Sequence, residues 1–168
     1  NGLLSDYGFG RLHHTGRIDV KSLLEDYKTS LTSRDLIQFQ SFVHDDIKII
    51  NDEVVYNNIT AKHIVFCEGY GMHKNQFFDY LPMNEAKGEL LTIHAPDLDV
   101  NFLVKAAVFV LPLGNHYFKV GATFNWKDKT LKTTKEGKNE LIEKLETFVT
   151  CDYTVVEQTA GIRPTVKD

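Results

Sequence analysis

The chain has 168 residues, of which 42% are hydrophobic and 25% charged, and its net charge is −4; such a composition supports a globular fold with a packed core. The acidity is mild and the Lys and Arg residues are scattered, which gives no basic face for nucleic acid or an anionic membrane. The longest apolar run, residues 106–113, is broken by Pro112 and is too short to cross a bilayer.

Residues 9–14 have strand character and end at Thr15-Gly16. Asp19 sits where a helix N-cap belongs, and Val20, Leu23, Leu24, Tyr27 and Leu31 follow at helical spacing, predicting one buried stripe. Residues 37–40 alternate like a strand with one covered face. Two short strands, 54–56 and 59–61, are predicted about a turn at Asn57-Asn58. The nearly continuous apolar run 63–67 predicts a strand buried on both faces, ending in the Gly-rich turn Glu68-Gly69-Tyr70-Gly71. A short helix is expected over 76–80 and a strand over 88–93.

The clearest hairpin joins 107–113 to 116–124 through a two-residue turn at Gly114-Asn115. Thr133 and Glu136 have the spacing of a capping box. The helix behind it aligns Leu141, Leu145 and Phe148 on one face and pairs Glu140 with Lys144 on another. A last strand, 153–158, leads into a turn at Gly161-Ile162-Arg163-Pro164. The pattern predicts an α+β fold, with strands and a helix in the first third and an antiparallel sheet covered by a helix in the remainder.

Three stretches carry possible chemistry. Pro164 disfavours the helical region for Arg163 and holds it extended, so the guanidinium is aimed; its planar fork suits bidentate binding of a carboxylate. On the residues alone, a structural Arg paired with an acid at a sheet end is the favoured reading. The strand and Gly turn over 64–71 form a place where a ligand could meet backbone, although a tight turn after a core strand is the simpler reading. Lys87-Gly88-Glu89 reads by default as a solvated strand edge, with a bulge or contact point as the alternative.

No GxGxxG, P-loop or GxSxG occurs. The seven histidines have no metal-ligand spacing, so no metal site is expected. Cys67 and Cys151 lie far apart and outside any CxxC pair, which favours buried reduced thiols in a cytoplasmic protein over a disulfide. The chain opens on Asn1 and closes soon after Pro164 without a low-complexity tail, and the expectation is an internal piece of a longer polypeptide.

Taken in order, these stretches resemble the D-amino-acid oxidase and glycine oxidase superfamily of FAD-dependent oxidoreductases. The resemblance runs from Thr15-Gly16-Arg17-Ile18-Asp19 through 64–71, Lys87-Gly88-Glu89-Leu90-Leu91, Phe109-Val110-Leu111-Pro112-Leu113 and Val120-Gly121-Ala122-Thr123 to Thr133-Thr134-Lys135-Glu136-Gly137 and Ala160-Gly161-Ile162-Arg163-Pro164. It implies partial elements of a Rossmann-like FAD-binding domain over 1–84 and a mixed or antiparallel substrate-binding domain over 85–168. It also implies oxidation of an amino acid or secondary amine by hydride transfer to FAD. The arginine of the family's Gly-x-Arg-Pro stretch, which grips the substrate carboxylate, falls on Arg163, and this reverses the structural reading above. Tyr117 is a further candidate for the substrate, and Tyr70 and Tyr117 are the candidates for a catalytic tyrosine.

The cofactor positions implied are Val43, Cys67, Gly69, Tyr70 and Gly88. Cys67-Glu68-Gly69 departs from the small residues usual there. The nucleotide-binding Gly-rich turn and the closing flavin-binding segment are missing, so flanking segments of the same polypeptide are expected to complete the site, and the piece alone to be inactive. Two alternatives stay open: a non-catalytic α+β binding module, and a flavoenzyme relative acting in tRNA modification or thiamine synthesis.

Overall fold

The computed structural model describes residues 2–166. The chain divides into two compact units, one of residues 9–65 and one combining 2–8 with 66–166. The boundary expected at 84/85 falls within a strand of the second unit.

In the 9–65 unit, helix α1 (Val20–Thr32) begins as expected: the Asp19 carboxylate accepts from the Ser22 backbone N–H at 3.2 Å. Its apolar stripe is not buried, however, and none of its residues is. Periodicity marks a face; burial needs an opposing surface as well. Strands β1 (Ile47–Ile50), β2 (Glu53–Tyr56) and β3 (Ile59–Ala61) form an antiparallel meander. The β1–β2 turn places Asn51 and Asp52 at positive φ, a conformation these short polar side chains tolerate. Tyr56 is the buried residue of the meander, stacked on Phe42 with ring centroids 4.4 Å apart. The segments 9–14 and 37–40 form no strand.

The second unit is built on five strands, β4 (Met83–His94), β5 (Val104–Lys105), β6 (Phe109–Gly114), β7 (Tyr117–Gly121) and β8 (Thr154–Val166), which form an antiparallel sheet in the order β5-β6-β7-β4-β8. The β6–β7 hairpin turns on Asn115 and His116, with φ of 50° and 60°, one residue later than the sequence suggests. Two successive positive φ values are what the right-handed twist of the strands demands. The expected turn at Gly161–Pro164 is instead part of β8. It pairs along β4, Gly161 opposite Gly88 and Arg163 opposite Ala86. Pro164 is accommodated because β8 is an edge strand.

Helix α2 (Lys135–Leu145) lies on one face of this sheet. Leu141, Leu145 and Phe148 pack with Leu91, Ile93, Val110, Phe118 and Val120 into a single core. Lys144 and Glu140 pair at 2.6 Å, as their spacing predicts. The cap is Thr134, whose hydroxyl accepts from the Gly137 N–H at 3.0 Å, one position beyond the expected box. Residues 2–4 bond to the 148–150 segment behind α2.

The run 63–67 is not a strand, and Val65 is 82% exposed. An apolar composition does not make a strand without a neighbouring strand to complete its hydrogen bonds. The Gly turn is wound into a 3-10 helix over Gly69–Lys74, and 76–80 are turns rather than a helix. Both cysteines are free as expected, but Cys67 is exposed and Cys151 half-buried. Both sheets are antiparallel throughout, and among the described residues no parallel βαβ unit is present. No helix of the described residues is long and apolar enough to cross a membrane, and they hold no cluster suited to a metal ion.

Candidate functional site

Side chains alternate across β4, so Lys87, Glu89, Leu91 and Ile93 face α2 while Ala86, Gly88, Leu90 and Thr92 face the other way. Partners in an antiparallel ladder share a face. Arg163 and Gly161 therefore share the face of Ala86 and Gly88.

The α2 face at this end of β4 is polar and closed. Lys87 and Glu89, expected at a solvated edge, are 1% and 3% exposed. A central position in the sheet, covered by the segment leading into α2, removes both from water. The Lys87 ammonium donates to Asp128 Oδ2 at 2.5 Å and to the Lys132 carbonyl, and lies 3.5 Å from Glu89 Oε1. Glu89 accepts from the Thr134 N–H (2.9 Å), the Thr134 hydroxyl (2.7 Å) and the Gln158 amide (2.7 Å). Burial pushes the Glu89 carboxyl up, but the Thr134 and Gln158 donors, with Lys87, outweigh it and hold the group below its usual range. Burial likewise pushes Lys87 down, and Asp128 and Glu89 overcome that, leaving it raised. The Lys87 ammonium holds Asp128 at about 2. Every bonding group has a partner, so this cluster ties the segment 128–134 to β4 and offers no open acid or base.

The opposite face carries the open charge. Arg163 is half-buried, and its guanidinium lies across β4 above Gly88, where an added Cβ would meet the guanidinium carbon at 2.6 Å. Its cationic carbon stands 5.1 Å from the centre of the Phe124 ring, and Nη1 donates a long bond of 3.4 Å to the Thr123 carbonyl. Among the described residues no carboxylate pairs with it. A half-buried, oriented guanidinium with no carboxylate partner among the described residues has the geometry to bind a carboxylate or phosphate ligand.

The remaining candidate residues do not all converge on it. Gly88 lies directly beneath the Arg163 head group. Tyr117 is on the same face, but its ladder partner is His94 whereas that of Arg163 is Ala86. Eight positions of β4 separate the two, about 26 Å of strand. Cys67, Gly69 and Tyr70 lie together in and beside the 3-10 turn. That turn meets the sheet at the Arg163 end, where the His73 ring nitrogen lies 2.9 Å from Glu85. By alternation Glu85 points to the α2 face. Gly69 has φ +57° and open space where a side chain would be, so backbone is accessible there. Val43 belongs to the 9–65 unit. Its N–H donates to the Tyr56 hydroxyl at 3.1 Å and its carbonyl accepts from Asp46.

Sequence reasoning missed Phe124, the ring beside the guanidinium. The Thr123 N–H bonds to the Glu89 carbonyl, and Asn125 exchanges bonds with Lys87. Phe124 thus continues the β7 side of the sheet opposite Gly88. An aromatic residue one place beyond an alternating strand gives no sign in sequence of which charge it will meet.

No family model matches the chain. Its fold is similar to that of glycine oxidase from Geobacillus kaustophilus, with a TM-score of 0.59 and 19% identity over 73% of this chain and 36% of that one. It is also similar to glycine oxidase from Bacillus cereus ATCC 14579, with a TM-score of 0.59 and 18% identity over 71% of this chain and 36% of the other. The match to iminodiacetate oxidase from Chelativorans sp. BNC1 has a TM-score of 0.71 and 18% identity, over 90% of this chain and 44% of that one. The chain thus spans less than half the length of each of these structures. The resemblance read from the sequence holds at the level of fold: this chain is built like part of glycine oxidase and iminodiacetate oxidase.

Proposed function

We propose that the chain is the substrate-facing part of an FAD-dependent oxidoreductase that oxidises a small amino acid or a secondary amine bearing a carboxylate. The observation that carries this reading is the Arg163 guanidinium: oriented above Gly88, half-buried, and without a carboxylate partner among the described residues. Partial burial strengthens its attraction for an anion, and the fork would fix the substrate's carboxylate in one orientation. With that end held, the carbon bearing the amine is presented at a fixed distance from the cation, which is the positioning an oxidase needs.

An FAD bound by the complete polypeptide supplies the two-electron acceptor. The open backbone at Gly69, flanked by Cys67 and Tyr70, supports a cofactor contact there, since nothing among the described residues lies within 4 Å of where its side chain would begin. The Val43 N–H is engaged by Tyr56 and would have to exchange partners to contact a nucleotide. Gly88, a further candidate for the cofactor, is covered by the Arg163 guanidinium lying on it. Flanking segments of the same polypeptide complete the flavin site in this reading, and the piece alone is inactive.

The test is Arg163→Ala in the complete polypeptide. Losing an oriented, charge-assisted pair should raise KM for carboxylate substrates by roughly one to two powers of ten. Unchanged KM would remove Arg163 from the site. A non-catalytic module could use the same guanidinium to bind a carboxylate; it would purify without flavin absorbance and would not take up FAD.

A further inference from the structure

Phe124, Gly88 and Gly161 lie in one row across three neighbouring strands. Gly161 is the ladder partner of Gly88, and Phe124 continues the chain on the other side of it. The three positions share the face that carries Arg163. Their surroundings differ. The space above Gly88 is filled by the guanidinium, and on one side that guanidinium meets the Phe124 ring, with Thr123 contributing only a long carbonyl contact. Above Gly161 nothing among the described residues lies within 4 Å of where a side chain would begin. Its φ is not in the left-handed region, so the strand geometry would accept any residue.

A glycine in a strand without a conformational need for glycine is a packing feature: it leaves room. The Phe124 ring is attractive to a cation through its π face but offers an anion nothing. A carboxylate approaching Arg163 from that side would meet the ring, and from below it would meet the β4 backbone. Among the described residues the Gly161 side is open.

We propose that the row is a one-sided carboxylate site. Phe124 is a positioning residue that backs the guanidinium, and the carboxylate of the ligand lies over Gly161. The proposal rests on the carboxylate-binding reading of Arg163 and adds where the ligand sits and what holds the cation. It makes Gly161 a specificity position: the absence of a side chain admits the ligand.

The test is acetate titration of the complete polypeptide, followed by the NMR shifts of the arginine side-chain Nε–H groups, with the Arg163 signal identified by its loss in Arg163→Lys. Gly161→Val should fold at least as well as the parent, since a β-branched residue suits a strand with free space above it, and should weaken acetate at least tenfold. Phe124→Leu should weaken acetate about three- to tenfold by releasing the cation. It should also remove the ring-current upfield shift of the Arg163 signal, and Phe124→Tyr should restore both. Acetate affinity within twofold of the parent in Gly161→Val, or tighter in Phe124→Leu, would overturn the proposal while leaving Arg163 as a carboxylate ligand. Acetate binding unchanged in Arg163→Ala would instead sink the functional reading beneath it.

Discussion

The guanidinium of Arg163 occupies the volume that a side chain on Gly88 would need, its carbon 2.6 Å from the position of an added Cβ. The two residues are on different strands and are not ladder partners; Gly88 pairs with Gly161, and Arg163 with Ala86. The side chain therefore runs diagonally across β4. That path exists only because residue 88 has no side chain.

Gly88→Ala follows directly. Flexible side chains yield more readily than backbone, so the guanidinium should move off β4 and the sheet should persist. Stability should fall by about 1 kcal/mol or rise slightly, as alanine reduces unfolded-chain entropy. Affinity for small carboxylates should drop about tenfold or more, because the cation loses its fixed position. Thermal unfolding with acetate titration separates the two effects. A variant that loses stability by several kcal/mol with unchanged affinity would show Gly88 to be a packing residue only.

Tyr117 gives the opposite expectation. It shares the face of Arg163 but sits about 26 Å along the strand, beyond the span of an amino acid. Its ring packs beside His94, with centroids 4.8 Å apart. Tyr117→Phe should leave small-carboxylate binding within twofold of the parent and change stability by less than about 0.5 kcal/mol. A tenfold loss would mean that a second binding region lies at that end of the sheet.

The antiparallel half of the fold was largely legible because its signals are local and each has a single outcome. The β6–β7 hairpin announces itself by two β runs about a two-residue turn, and α2 by an apolar stripe with a Thr-rich start. Both formed, each displaced by one residue at its turn or cap. The first half was less legible because its signals depend on partners. The stripe of α1 and the apolar run 63–67 describe surfaces that could be covered, and α1 and Val65 remain exposed. The extended backbone of Arg163 was legible through its neighbour Pro164, but the residues around its side chain were not. Phe124 and Gly161 join it through a cross-strand row, and rows become visible only once register is known.

The Lys87–Glu89 pair should be among the most sensitive points for stability. Both side chains are almost wholly buried, and each satisfies the other as well as groups on the segment 128–134. Glu89→Ala would strand the Lys87 charge and orphan the Thr134 and Gln158 donors, so a loss of about 3–5 kcal/mol is expected. Thr134→Ala removes the α2 cap and one of the Glu89 donors and should cost about 1–2 kcal/mol. Urea unfolding of both variants and of the double variant tests the link. Since the two residues share a hydrogen bond, the double variant should lose less than the sum; strict additivity would show that they act independently.

The same cluster sets a pH dependence whose sign follows from the shifts. The carboxyls of Asp128 and Glu89 are held below their usual values of 3.8 and 4.5, Asp128 at about 2. A folded-state value below the unfolded one means that the unfolded chain binds protons first as pH falls. Their contribution is therefore complete above 4.5 and is lost progressively as pH drops through 3.8 towards 2. Lys87 is shifted the other way, above its usual 10.5, so its contribution is complete below that value and is lost as pH rises through the folded value. The urea midpoint should be flat near neutrality, fall on the acid side, and fall again in strong alkali. Asp128→Asn should lower the neutral plateau and flatten the lowest part of the acid limb, because the group that titrates near 2 is gone. Glu89→Gln should act on the upper part of that limb. An acid limb with the same slope in Asp128→Asn as in the parent would mean that the Lys87–Asp128 contact is not formed in solution.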